Sequence, residues 1–265
     1  MINMNDLKKM FRITVLLTAV FAATQAAVAA QIVELDYDFH RGALGWTAGY
    51  ADYPPGTDPN GTLYELYAGF RYLPRKLTYV PKRGFYIQGH NRSDDLFMFL
   101  KRRLSAEDGI VAGQAYRVEY VITFASNAPS GCAGIGGPPG EGVALKAGAS
   151  PIEPLAVMQP NGYLRMNVDK GNQGFGGSAA SVTGNIANGI PCQIALPSSP
   201  FVLIQRAHQH TTNVTANTNG ELWLLVGTDS GFEGLTRLYY RSIRVKLTPV
   251  QNLTEEFTEI HKFTF

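Results

Sequence analysis

The residues best suited to chemistry in this 265-residue chain are aromatic and acidic side chains gathered around turns. A pyranose ring has an apolar face and a polar rim, so a sugar site needs exposed aromatic faces beside hydrogen-bonding groups. The densest such stretch is residues 46–72, where Trp46, Tyr50, Tyr53, Tyr64 and Tyr67 interleave with Asp52, Asp58, Asn60 and Glu65 around Pro54-Pro55-Gly56. Two polar loops, residues 90–95 and 228–234, add Asn91, Asp94, Asp229 and Glu233 to the candidate ligand contacts. The competing expectation is that Trp46 and Trp223 fill the core, while Asn, Asp and Gly only make turns.

Catalytic patterns are thin. A glycosidase needs two acids flanking a bond at a defined separation, and Asp94, Asp95, Glu141, Asp229 and Glu233 are available for that alternative. Gly227-Thr-Asp-Ser-Gly231 is superficially similar to a serine-protease turn, but it lacks the neighbouring glycines and any accompanying His/Asp pattern. Residues 134–140 are Gly-rich without the Lys-Ser/Thr ending of a phosphate loop. His208-Gln-His210 offers two imidazoles on one strand face, yet zinc needs a third ligand that the sequence does not identify; surface histidines are the ordinary alternative.

The compartment is read from the N-terminus. Lys8, Lys9 and Arg12 precede an apolar run of residues 13–23, and Ala26-Ala27-Val28-Ala29-Ala30 follows. This order predicts a secretory signal over residues 1–30, cleaved near Ala29, Ala30 or Gln31. The run is too short for a membrane span of about 20 residues, so no transmembrane segment is expected in the mature chain. With the signal go Lys8, Lys9, Arg12 and Asp6, which brings the 23 basic and 21 acidic residues into balance. No basic block then remains for a nucleic acid. Cys132 and Cys192, the two cysteines of the chain, are expected to pair in an oxidising compartment and to clamp a Gly-rich excursion. A reactive thiol or a metal site is the alternative.

These residues need elements to hold them, and alternation with period two supplies strands. Val33, Leu35, Tyr37 and Phe39 alternate with Glu34, Asp36, Asp38 and His40, and Tyr116 to Phe124 behaves likewise. Tyr239, Arg241, Ile243, Val245 and Leu247 form a third set against Tyr240, Ser242, Arg244 and Lys246. Residues 201–204 and 222–226 predict buried strands. Residues 94–104 fit a helix or a strand covered on both faces, and the neighbouring strands favour the latter. The pattern predicts an all-β antiparallel sandwich over residues 31–250, with residues 251–265 a tail or an added strand. If the first and last strands are neighbours, Asp36 is expected to meet Arg244 across them.

Phe39-His-Arg-Gly42-Ala-Leu-Gly45-Trp46, Gly113-Gln-Ala-Tyr116-Arg-Val-Glu-Tyr120, and the closing Gly220-Glu-Leu-Trp-Leu-Leu-Val226 with Leu238-Tyr-Tyr-Arg-Ser-Ile-Arg-Val245 carry a family likeness. Over about residues 32–247 the chain resembles the galactose-binding-like jelly-roll class, of which carbohydrate-binding modules are the best-known members. The resemblance implies a jelly-roll sandwich and a glycan-binding role. It also implies a structural Ca2+ held by Asp36 or Asp38, although Arg241 stands where members often place an acid. The resulting expectation is an exported, non-catalytic binder of a glycan or envelope component. The alternatives are an envelope hydrolase using loop carboxylates and a structural or adhesive surface protein. The oligomeric state stays open.

Overall fold

A computed structural model describes residues 30–57, 62–77, 82–195 and 199–251. The expected signal over residues 1–30, apart from Ala30, together with Asp58, Asn60 and the tail after residue 251, lies outside the described residues. Two antiparallel sheets pack face to face. The larger contains β1 (Val33–Asp38), β3 (Tyr67–Tyr72), β4 (Arg83–His90), β6 (Ala115–Ser126), β11 (Val202–Gln209), β12 (Val214–Thr215) and β14 (Leu235–Pro249). Its order is β11-β6-β14-β4-β3, with β1 also on β14 and β12 on β6. The smaller contains β2 (Thr47–Ala51), β5 (Leu96–Leu104), β7 (Val143–Ser150), β10 (Ser181–Asn185) and β13 (Leu222–Ser230), in the order β10-β7-β13-β5-β2. The passages β4 to β5, β5 to β6, β6 to β7 and β13 to β14 each switch sheets, in jelly-roll fashion.

The alternating residues meet in between. Tyr116, Val118, Tyr120, Ile122 and Phe124 of β6 face Leu96, Met98 and Leu100 of β5 and Leu222, Leu224 and Val226 of β13 across one core. Each fully buried side chain of this size contributes about 1.5–3 kcal/mol. Residues 94–104 resolve as the strand β5. Its other face, through Phe97 and Phe99, joins a second apolar layer with Ala51, Ala180 and Leu225. A strand covered on both sides loses the alternation that would have distinguished it from a helix.

Three expectations change. The segment between the cysteines is not one loop, because it contributes β7 and β10 to the smaller sheet. Between these two strands, residues 151–180 leave that sheet and carry the hairpin β8 (Ala156–Met158) and β9 (Leu164–Met166). Residues 201–204 begin an edge strand rather than a buried one, and Leu203 is 38% exposed. In β14 the register shifts between Tyr240 and Ser242. That bulge inserts one residue, so Leu238 and Tyr240 share the core face with Ile243 and Val245, and Tyr239 turns outward. The Cys132–Cys192 disulfide is present, with Cα atoms 5.1 Å apart.

The first and last strands pair as their charges suggested. Asp36 stands opposite Arg244 and Glu34 opposite Lys246, which also lies opposite Glu119 of β6. Asp36→Arg should lower stability by about 0.5 kcal/mol and Arg244→Asp in the same chain should restore it. A denaturant double-mutant cycle with no coupling would remove the interaction.

Candidate ligand-binding site

The two outer faces of the sandwich differ. Residues 151–180 fold over the smaller sheet and are fixed to it by charge. Lys146 of β7, an outward position in a strand of small residues, has its side chain completely enclosed. Its Nζ donates to Asp229 Oδ2 at 2.6 Å and to the carbonyls of Lys170 and Phe175 at 2.9 and 2.8 Å. Lys170, reaching in from the cover, donates to the same Asp229 oxygen at 2.7 Å and lies 2.8 Å from Asp52 Oδ2. Arg165 donates to Asp52 Oδ1 at 2.9 Å and to Asp95 Oδ2 at 3.3 Å. Three acids thus meet three bases. Glycines let the cover close: a Cβ on Gly171 would lie 2.2 Å from the Phe175 carbonyl, and one on Gly177 would lie 2.2 Å from Asp169 Oδ1. Asp52 itself sits at φ +67°, a left-handed turn at the end of β2 that aspartate tolerates better than most residues.

Burial raises the Asp95 carboxyl from 3.8 to about 8, helped by the charge of Asp229 and of Asp52 and opposed by Lys170. Asp95 Oδ1 and Asp229 Oδ1 are both buried with no hydrogen-bond partner, and the two carboxyls lie within 4.8 Å of each other. A proton on Asp95 therefore relieves the repulsion between the two acids. Burial lowers Lys146, against the pull of Asp229. Burial would lower Lys170 as well, but Asp229, Asp52 and Asp95 together raise it.

Asp52, Asn91, Asp94, Asp229 and Glu233 come together at one end of the sandwich, but not as an open ligand site. Asp229 is completely buried and Asp52 is 2% exposed. Asn91 closes a turn, its Nδ2 donating to the Ser230 carbonyl at 2.8 Å. Asp94 and Glu233 remain at the surface. The expectation that Trp46, Tyr50 and Tyr53 form a sugar platform is corrected. Trp46, 2% exposed, packs edge-on to Tyr37 and Phe39 in the core. Tyr50 faces the same core from β2, and Tyr53 packs on Tyr64 at 5.0 Å. Trp223 does not fill the core as expected but stands half-buried on the outer side of the smaller sheet, under Lys101.

The metal expectations also meet cations. Asp38 caps the turn at His40 and pairs with Arg241, whereas Asp36 faces Arg244. Among the described residues, Asp52, Asp95 and Asp229 are the acids close enough to share an ion. Lys146, Lys170 and Arg165 already balance them, so this donor set does not suit a hard cation that needs several free oxygens. His208 and His210 do share one side, but both bind Ser181 Oγ, at 2.7 and 2.8 Å, and burial lowers both imidazoles. His210 Nε2 faces the Ser178 carbonyl at 3.0 Å, so that nitrogen carries the proton and Ser181 donates to Nδ1. The group links β10 to β11. Ser230, in the protease-like turn, is 2% exposed and donates to the Phe232 carbonyl.

The outer face of the larger sheet has no such cover among the described residues. Tyr67 of β3, Tyr86 of β4 and Tyr239 of β14 form a row, with ring centroids 6.0 and 4.6 Å apart. Phe201 continues it, 5.1 Å from Tyr239 and edge-on. Small residues make the row continuous: Gly69 lies under the Tyr67 ring, and Ala125 stands beside Tyr239 in register. Arg71 lies over both Tyr67 and Tyr86, at 4.2 and 4.5 Å. Tyr67 is 42% exposed, Tyr239 and Phe201 are half-buried, and Tyr86 is buried at 3% between them. Of this row, residue-type reading singled out Tyr67 alone. Period-two spacing from Arg71 to Tyr67 was available as a further signal, but the bulge in β14 concealed Tyr239.

No family model and no curated protein matches this chain. Solved structures with a similar arrangement include a carbohydrate-binding module of the β-sandwich superfamily described as having promiscuous specificity. It is 12% identical over 81% of this chain, with a TM-score of 0.34, and this chain spans 61% of its length. TmCBM61 in complex with β-1,4-galactotriose is 9% identical, over 78% of this chain and 92% of that one, with a TM-score of 0.35. The family 11 carbohydrate-binding module from Clostridium thermocellum, in complex with a β-1,3-1,4-mixed-linked tetrasaccharide, is 10% identical over 83% and 97%, with a TM-score of 0.32. Superpositions this loose transfer no residue or subsite.

A raised carboxyl stabilises the fold at low pH and loses that contribution as pH rises through its folded value. Asp95 should therefore cost stability between 3.8 and about 8. Asp95→Asn, a permanent hydrogen-bond donor at the same place, should flatten that part of the profile of thermal midpoint against pH. An unchanged slope would show that Asp95 does not hold the proton.

Proposed function

We propose that this protein is a non-catalytic saccharide binder that acts after export and uses the outer face of its larger sheet. The observation that carries this reading is the row in which exposed Tyr67 and half-buried Tyr239 and Phe201 flank the buried Tyr86, with Arg71 lying over Tyr67 and Tyr86. A pyranose stacks its C–H face on such rings, while hydroxyls at its rim find hydrogen-bonding side chains. Gln88, in register between Tyr67 and Arg237, accepts from the Tyr86 hydroxyl at 2.5 Å and donates to the Glu65 carbonyl at 2.9 Å, which fixes the Tyr86 ring under the row. A rigid sheet holds the rings without a closing loop, so little conformational entropy is lost when a sugar lands.

The hydrolase alternative needs two accessible carboxylates. The close group of three acids, Asp52, Asp95 and Asp229, is enclosed and paired with Lys146, Lys170 and Arg165, so it offers no such pair. The Cys132–Cys192 bridge supports an oxidising location. No described helix is long and apolar enough to cross a membrane.

Tyr67 is exposed and its ring is dispensable for the core, so Tyr67→Ala should leave the thermal midpoint within about 1 °C, since surface changes usually stay within about 0.5 kcal/mol. By calorimetric titration against saccharides found on a glycan array, the same change should weaken binding about tenfold. Saccharide binding that survives both Tyr67→Ala and Tyr239→Ala would place the site elsewhere.

A further inference from the structure

We infer that the saccharide taken by this face is acidic, a sugar whose carboxylate or sulfate ester is received by Arg71 and Arg237; this rests on the reading of the tyrosine row as a saccharide platform. The two arginines differ from the other described arginines that hold no carboxylate, such as Arg75 and Arg117, in standing on or beside the tyrosine row. Arg92, Arg102, Arg103, Arg165 and Arg241 each hold a carboxylate at ion-pair distance. Among the described residues, Arg71 and Arg237 hold none, and both are exposed. Glu65, on the segment leading into β3, is engaged by His90 at 2.8 Å and by Arg92.

Placement makes the pair a receptor rather than two loose side chains. Tyr86 lies between them: Arg71 rests over its ring from β3, and Arg237 stands on β14 opposite Gln88, the next outward residue of β4. The positive charge of Arg237 is felt at both Tyr86 and Tyr239. A guanidinium lying over tyrosine faces is ordered before any ligand arrives and keeps its N–H edge free for a planar anion. Charge-assisted, bidentate contacts to carboxylate or sulfate are about twice as strong as neutral hydrogen bonds. A neutral sugar would meet the same rings without that gain.

The positive surplus is local. Farther along the same face, Glu34, Asp36 and Glu119 interleave with Arg244 and Lys246. A long polyanion with a charge on every unit would run into those carboxylates, whereas a short acidic saccharide would not.

The test is calorimetric titration of the purified protein with trigalacturonate and its methyl ester, and with a sulfated galactan disaccharide and its desulfated counterpart. At least one acidic member should bind about tenfold more tightly than its neutral partner. Which pair shows the preference identifies carboxylate or sulfate as the recognised group. Arg71→Gln and Arg237→Gln should each remove most of that preference, while Arg117→Gln, an exposed charge elsewhere on the sheet, should leave it intact. Equal binding of acidic and neutral members would overturn the inference and leave the saccharide reading standing. Equal losses in all three variants would reduce the effect to general attraction and overturn it as well. Tighter binding of oligothymidylate than of any saccharide, or no binding at all, would overturn both.

Discussion

Lys146, Asp229 and Lys170 form the contact on which the rest of the molecule is arranged. Asp229 and Lys146 come from adjacent strands of the smaller sheet, and Lys170 comes from the segment that covers it. Two ammonium groups share one carboxylate oxygen where almost no water reaches. Removing one member of such a cluster leaves an uncompensated buried charge, a loss of about 3–5 kcal/mol. That cost holds residues 151–180 to the sheet more firmly than their sparse apolar contacts would, namely Ala156, Met166 and Val168 against Phe97 and Phe99. Asp95, whose carboxyl is raised by burial, belongs to the same cluster, so the cluster's stability is tied to pH.

The covering segment decides where a ligand can land. On the smaller sheet, the outward rings of Phe97 and Phe99 are roofed, and the polar end is filled by the ion cluster. On the larger sheet, the outward rings of Tyr67 and Tyr239 remain accessible. The same fold therefore spends one face on stability and leaves the other for recognition. The tyrosine row is useful because it is built on strands whose other side is anchored in the core: Phe85 and Ile87 of β4, and Leu238 and Tyr240 of β14, all point inward.

Much of the framework is legible in the residues themselves. Alternation in β1 and β6 identifies their core faces, and the first strand pairs with the last in a register that sets Asp36 opposite Arg244. The two cysteines pair as their number suggests. The binding face is less legible, for two physical reasons. A single inserted residue after Tyr240 reverses the parity of Tyr239, and nothing in local composition marks the insertion. Aromatic residue types alone do not separate Trp46, which fills the core, from Tyr67, which faces water. Lys146 is a different case: a lysine in the run Val-Ala-Leu-Lys-Ala-Gly-Ala-Ser reads as a solvent-facing position until the segment that covers it is known.

The central claim is that recognition belongs to the outer face of the larger sheet and the smaller sheet is closed. Backbone amide chemical-shift mapping during titration with an acidic oligosaccharide addresses it most directly. The account predicts shifts concentrated on β3, β4 and the first half of β14, around Tyr67, Arg71, Tyr86, Arg237 and Tyr239, with the covering segment 151–180 unmoved. Shifts centred on β5, β13 and residues 165–175, with β3 and β4 silent, would contradict it.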